Sequence, residues 1–144
     1  MTSTDLEADI RSSQKIKDDW TLDGSVSNTM AAYISYPQDM NDHIFSVYVN
    51  RPGLSFGYFF RGGGSLSGVQ RGIAEFTVEG YNERAFISMN QQQVQQLEID
   101  DGNAIQVIDI DSNKPFAIVL PINAGNITFY DVNRNTVEYW NNHL

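Results

Sequence analysis

The sequence predicts an all-β domain: an eight- or nine-stranded antiparallel meander, closed as an up-and-down barrel, with a β-sandwich as the alternative. Three observations lead there. Short runs rich in aromatic and β-branched residues recur along the chain, and such residues suit a pleated, half-buried surface. Clusters of Gly, Pro, Asn and Asp separate the runs by short links. No strand–helix–strand alternation and no internal repeat interrupts the series. Short sequential links favour pairing between neighbours in sequence, and closing the meander removes exposed edges.

The element around which the pattern is organised is Ile44 to Gly64, IFSVYVNRPGLSFGYFFRGGG. Residues 44–50 and 55–61 read as strands joined by a four-residue loop, Arg51 to Leu54, in which Pro52-Gly53 supplies turn chemistry. Pairing Asn50 with Ser55 places Val49–Phe56, Val47–Tyr58 and Phe45–Phe60 on an apolar face, and puts Ser46 and Tyr48 on the other, with Tyr48 covering Gly57. Before this hairpin, residues 1–28 read as a linker or short helix. Leu6 and Ile10 form an i, i+4 pair there, Trp20 is the docking point, and 21–28 are turn-rich. Residues 29–144 read as the single antiparallel β-domain, beginning with a strand at 29–36. After the hairpin, Gly62-Gly63-Gly64 reads as a mobile connection.

A second hairpin, 72–79 with 84–90, pairs Glu79 with Arg84 and aligns Val78–Ala85, Phe76–Ile87 and Ala74–Met89 inward, leaving Glu75 and Glu79 solvated. Residues 90–98, NQQQVQQLE, read as a short helix capped by Asn90, with Val94 and Leu97 on one face. Strands 104–110 and 115–122 read as a third hairpin, with Ile105–Leu120 and Val107–Ile118 pairs. A fourth turns over 123–126 with Leu120–Phe129, and 136–140 is a last strand. The layout, an N-terminal segment and then about eight meandering strands, resembles the lipocalin and calycin architecture, which implies a calycin-like barrel. It departs from that pattern at the first strand, where Trp20 precedes Asp23-Gly24 in place of a Gly-x-Trp, and in lacking a C-terminal helix.

Composition narrows the functions. Formal net charge is −9, from 9 basic and 18 acidic residues, which argues against binding to a nucleic-acid backbone or adsorption to anionic lipid. The absence of cysteine excludes disulfides, thiolate metal sites and Cys nucleophiles. No apolar run reaches the roughly 18 residues of a membrane helix, so direct membrane insertion is not expected, and no signal peptide is visible. Few lysines beside many Asn, Ser and Gln suit an extracytoplasmic or cell-envelope, lipoprotein-like setting, with the cytoplasm as the alternative.

Candidate chemistry is sparse. His43 lies beside Asp39, Asn41 and Asp42 but shows no oriented acid and nucleophile, as a triad requires. Asp109-x-Asp111-x-Asn113 opens like a calcium loop, but Lys114 stands where Gly is needed and Leu120 where the bidentate Glu is needed. No catalytic residue, metal site or cofactor is expected. What remains is aromatic: an interior lined by Phe and Tyr, with small residues at Ala74 and Ala85. The expected function is therefore a non-catalytic binding or accessory domain, holding a small apolar ligand in a cavity bordered by Tyr58, Phe76 and Ala85, or holding a protein partner. The alternatives are a hydrolase using carboxylates or His43, and a structural or inhibitory protein acting through an outer sheet face at Phe59 and Arg61.

Overall fold

A computed structural model describes residues 3–50 and 57–144. The elements run α1 (Ser3–Ser13), β1 (Thr21–Val26), β2 (Met30–Tyr36), β3 (Ile44–Asn50), β4 (Tyr58–Gly64), α2 (Ser67–Arg71), β5 (Ile73–Thr77), β6 (Glu83–Ser88), β7 (Val94–Asp100), β8 (Ile105–Asp109), β9 (Phe116–Pro121), β10 (Asn126–Asp131), β11 (Thr136–Val137) and β12 (Tyr139–His143). The protein is mainly β, as its composition and patterning require. The described strands form three four-stranded sheets instead of one closed barrel: sheet A, β1-β2-β3-β4; sheet B, β12-β5-β6-β9; and sheet C, β11-β10-β7-β8. All neighbours are antiparallel except β12, which runs parallel to β5.

Three apolar clusters fix the order of the layers. Met30, Ile34, Phe45 and Val47 of sheet A meet Ala74, Phe76, Ala85 and Ile87 of sheet B. The opposite face of sheet B, with Ile73, Phe86, Phe116 and Leu120, meets Leu97, Ile99 and Phe129 of sheet C. Leu6 and Ile10 of α1 bury completely against Tyr33 and Tyr48 on the outer face of sheet A. The i, i+4 spacing of Leu6 and Ile10 puts both on one side of the helix. Burying each contributes about 1.5–3 kcal/mol, which suffices to hold an 11-residue helix that would be marginal alone. The stack is thus helix, sheet A, sheet B, sheet C. Both faces of β2 are covered, and all seven of its residues are buried.

Several expected pairings change. The Arg51–Leu54 loop and Phe56 lie outside the described residues. The register beyond them is Asn50↔Tyr58, Val49↔Phe59 and Tyr48↔Phe60, then Val47↔Gly62 after a bulge at Arg61. An odd shift exchanges faces, so Tyr58 and Phe60 leave the apolar face and Phe59 joins it. Ser46, expected outward, is buried beneath α1, where the Gln14 side-chain amide donates to its Oγ at 3.0 Å and to the Phe45 carbonyl at 3.3 Å. The hairpin of β5 and β6 shifts by two residues, to Phe76↔Ala85 and Thr77↔Arg84. An even shift keeps its faces, so Ala74, Phe76, Val78, Ala85, Ile87 and Met89 do face one core. Residues 94–100 are strand, not helix. Neither the third nor the fourth hairpin forms, because β8 and β10 flank β7 while β9 pairs with β6. Residues 21–26, read as turn, form an edge strand in which Gly24 lies opposite Tyr33. A Cβ at Gly24 would lie 2.7 Å from Tyr33 Cε1, so the ring covers the glycine, as expected instead for Tyr48 and Gly57.

The glycine run is also strand. Gly62, Gly63 and Gly64 pair with Val47, Ser46 and Phe45. A Cβ on Gly63 would strike the Gln14 amide nitrogen and lie 2.6 Å from the Phe45 carbonyl oxygen, so glycine is what lets the end of α1 reach β3. Gly63→Ala should therefore destabilise by about 1–3 kcal/mol, the usual cost of overpacking. Gly68→Ala is the control: its Cβ would meet only Ala74 Cβ, at 3.9 Å, and in α2 it should be neutral or stabilising by about 0.5–1 kcal/mol. Urea melts of both variants check this, and equal midpoints would contradict it.

Candidate functional site

The open seam between sheets A and B is built from two elements. On one side is β4, the edge of sheet A, where alternation sends Phe59 toward the sheet interface and Arg61, at the bulge, lines the same groove. On the other side β5 ends in a tight turn, Val78 to Tyr81. The Tyr81 N–H donates to the Val78 carbonyl at 3.1 Å, and Gly80 holds φ at +87°. Between them lies a depression of about 240 Å3 bounded by Val49, Phe59, Arg61, Val78, Glu79 and Tyr81. A second, of about 300 Å3, lies on the far side of the same turn and is bounded by Thr77 to Tyr81 and His143. Phe59 is 37% exposed, a large apolar surface for a strand residue, and its neighbour Phe60 is 46% exposed. The Arg61 guanidinium donates from Nη2 to the Leu144 carbonyl at 2.9 Å, which holds its aliphatic stem along the seam. Phe59 and Arg61, expected from the sequence to form an outer patch, thus stand together at a groove with the Glu79 carboxylate at its rim.

The residues expected to border an interior cavity are divided between two layers. Phe76 and Ala85 are cross-strand neighbours facing the A–B core, both fully buried, and Phe76 stacks on Phe45 with ring centroids 4.6 Å apart. Tyr58 lies on the helix side of sheet A, where its hydroxyl donates to the Ser27 carbonyl. Sheet A stands between Tyr58 and the other two.

His43 is buried, and each ring nitrogen has a partner. The Leu66 N–H donates to Nε2 at 3.0 Å, so Nδ1 carries the proton and donates to Gln70 Oε1 at 2.8 Å. The imidazole thereby ties the entry of β3 to α2. Glu75, expected in solvent, is also buried. Arg84 pairs with it at 2.8 Å, the Asn141 side-chain amide donates to it at 2.9 Å, and the Arg84 guanidinium lies over the Phe86 ring at 5.1 Å. In the Asp109–Asn113 stretch, Asp111 Oδ1 accepts the Asn113 N–H at 2.9 Å, the local bond of a turn. No group of three or more metal-binding side chains converges among the described residues. No helix among them is long and apolar enough to cross a membrane.

Two kinds of residue escaped sequence reasoning. Asn90, read as a helix cap, sits at φ +60° and is buried. Its Oδ1 accepts the Val94 N–H at 2.7 Å, and its Nδ2 donates to the Val94 and Asp111 carbonyls, each at 3.1 Å. It therefore sets the corner at which the chain passes from sheet B to sheet C. Tyr48 and Tyr36 donate their hydroxyls to Asp9 and Asp23. A Tyr four residues after a strand start gives no sequence signal for an acid partner 39 positions away.

Compared with known proteins, no family model matches the chain, and no curated protein and no solved structure is significantly similar to it.

The tyrosines give an alkaline signature. Burial, then the hydrogen bond to Asp9 and its charge, push the Tyr48 phenol above its ordinary value; burial, then Asp23, do the same to Tyr36. A phenol raised in the folded state keeps a proton that the unfolded chain has already released near pH 10. Its contribution is complete below that pH and is lost as pH rises above it. Melting temperature should fall above about pH 10, and less steeply in the Tyr36→Phe/Tyr48→Phe double variant. Identical slopes in thermal melts across that window would contradict the assignment.

Proposed function

We propose that this chain is a non-catalytic binding module that engages a protein partner through the β4 edge, with Phe59 and Arg61 as its principal contacts. The observation that carries the reading is the pairing of an exposed Phe59 with Arg61 at one groove between two sheets. Aromatic and arginine side chains beside a shallow depression with a polar rim are the composition that concentrates binding energy in protein interfaces. Two further features support it. The inward aromatics are used in packing: Phe45 stacks on Phe76, and Phe116, Phe129 and Phe86 form a chain of ring contacts in the second core. The two groups that would serve a hydrolase, His43 and a buried carboxylate, are held in structural bonds to Leu66, Gln70 and Arg84. An extracytoplasmic setting, suited to a chain with three lysines beside many Asn, Ser and Gln, belongs to this proposal.

The test is selection of binders from a displayed linear-peptide library against the immobilised domain. Affinity of the enriched peptides should fall about tenfold or more on Phe59→Ser and on Arg61→Glu, about 1.4 kcal/mol or more. Trp140→Ser, which removes an exposed aromatic elsewhere, should leave it unchanged. Peptides indifferent to the first two substitutions would overturn the assignment. Saturable binding of a fluorescent fatty acid, blocked by Ala85→Phe, would favour an interior ligand instead.

A further inference from the structure

Strand β8 is an edge strand; among the described residues its only ladder partner is β7. The parity of that ladder can be read from the bonds at its two ends. The Ile110 N–H donates to the Gln95 carbonyl at 2.9 Å, and the Asp101 N–H donates to the Ala104 carbonyl at 3.2 Å. Doubly bonded and unbonded pairs alternate along an antiparallel ladder. With the register Leu97↔Ile108 and Ile99↔Gln106, residues 106 and 108 spend their backbone groups on β7. Ile105, Val107 and Asp109 turn theirs to the open edge. These same three residues send their side chains to the outer face, where Ile105 is 59% and Val107 49% exposed.

Edge strands of this kind are normally blunted by a proline, a lysine or a covering segment. Residues 105–109, IQVID, contain neither proline nor lysine. Instead the edge is framed by carboxylates. Asp109 stands at one end, and Asp100 and Asp101 stand at the other, all exposed. The Ala104 and Asn103 N–H groups, each donating to Asp101 at 2.8 Å, hold that carboxyl below the usual carboxylate range. The nearby Glu98 is answered by Arg134 at 3.5 Å; that cation lies over Tyr130, on the side of β7 away from β8.

From this geometry we propose that β8 accepts an extended strand of a partner protein that carries, along one face, two apolar residues between two lysines or arginines, added to the open edge of sheet C. The outward backbone groups supply the ladder, Val107 and Ile105 supply apolar contacts for alternate side chains, and the flanking carboxylates select the charge. A second copy of this chain fits less well. Antiparallel pairing about Val107 would set Asp109 of each copy beside the Asp100–Asp101 turn of the other, in chains that each carry a net charge of −9. This surface is separate from the Phe59–Arg61 groove, so the two readings stand or fall separately.

The probe is a fluorescent peptide, Lys-Thr-Val-Thr-Val-Thr-Lys, with blocked termini, which puts both valines and both lysines on one face, titrated against the whole chain by anisotropy. Saturable binding in the micromolar range is expected, weakened about tenfold or more by Asp109→Lys and by Val107→Pro. N-methylating alternate peptide nitrogens, which leaves the charge intact, should weaken it equally. Phe59→Ser should leave it unchanged. Val107→Pro removes an outward N–H and spares the β7 ladder, so its melting temperature should stay close to that of the wild type. Gln106→Pro breaks the bond to Ile99 and should melt clearly earlier. Absence of binding, or salt-sensitive binding indifferent to N-methylation and to Val107→Pro, would overturn the proposal. So would sedimentation showing a dimer that Val107→Pro dissociates, because the occupant would then be a second copy.

Discussion

A sheet buried on both faces has to be covered from both sides, and sheet B is such a sheet. In β6, Ala85 and Ile87 face one core while Phe86 faces the other, and all three are fully buried. The two sides differ in bulk. Toward sheet A the sheet presents Ala74, Ala85 and Ala117, so the aromatic mass there comes from Phe45 across the gap and from Phe76. Toward sheet C it presents Phe86, Phe116 and Leu120, which engage Phe129 and Tyr139. Large residues against large ones on one side, and small against large on the other, fill both interfaces at the density folded cores require. Sheet A then has an apolar outer face of its own, and α1 covers it.

This layering explains what the sequence made legible. Strands β2, β3, β5 and β6 stand out because their apolar runs are long and bounded by turn residues. The inward set of the β5–β6 hairpin is readable despite a register error, since a two-residue slip preserves faces. What failed is whatever depends on a distant partner. Strands β8 and β9 are consecutive and both apolar, so they read as a hairpin, yet β9 is apolar on two faces because it lies in the central sheet. Strand β7 looks helical because Val94 and Leu97 are three apart. The irregularity between Tyr130 and Asp131 makes room for both to point inward. Strand β1 contains Asp23, Gly24 and Ser25, all turn-type residues, and the Tyr33 ring covers Gly24.

The candidate site was readable to the same degree. Phe59 and Arg61 emerge from the pattern because an aromatic and a cation close to a glycine run belong at a surface. Tyr58 reads as inward on a sequence register three residues from the observed one, and an odd slip inverts every side chain of a strand. His43 carries no signal for its partners, Leu66 and Gln70, which come from the far side of β4. Glu75 alternates as a solvent-facing residue would. Its burial depends on Asn141 and on Arg84, the first of which lies 66 positions away.

The parallel pairing of β12 with β5 has a kinetic consequence. Sheet A and the β7–β8 and β5–β6 hairpins close through short loops, whose entropy cost is small. The pairing Tyr139↔Ile73 joins residues separated by almost half the chain, and contacts of that separation form slowly. During synthesis β12 also leaves the ribosome after the other described strands. Before it docks, Phe86 lacks the Tyr139 ring and Glu75 lacks its amide donor. Until β12 docks, β5 is an open edge of the central sheet and the Glu75–Arg84 pair lacks its third partner.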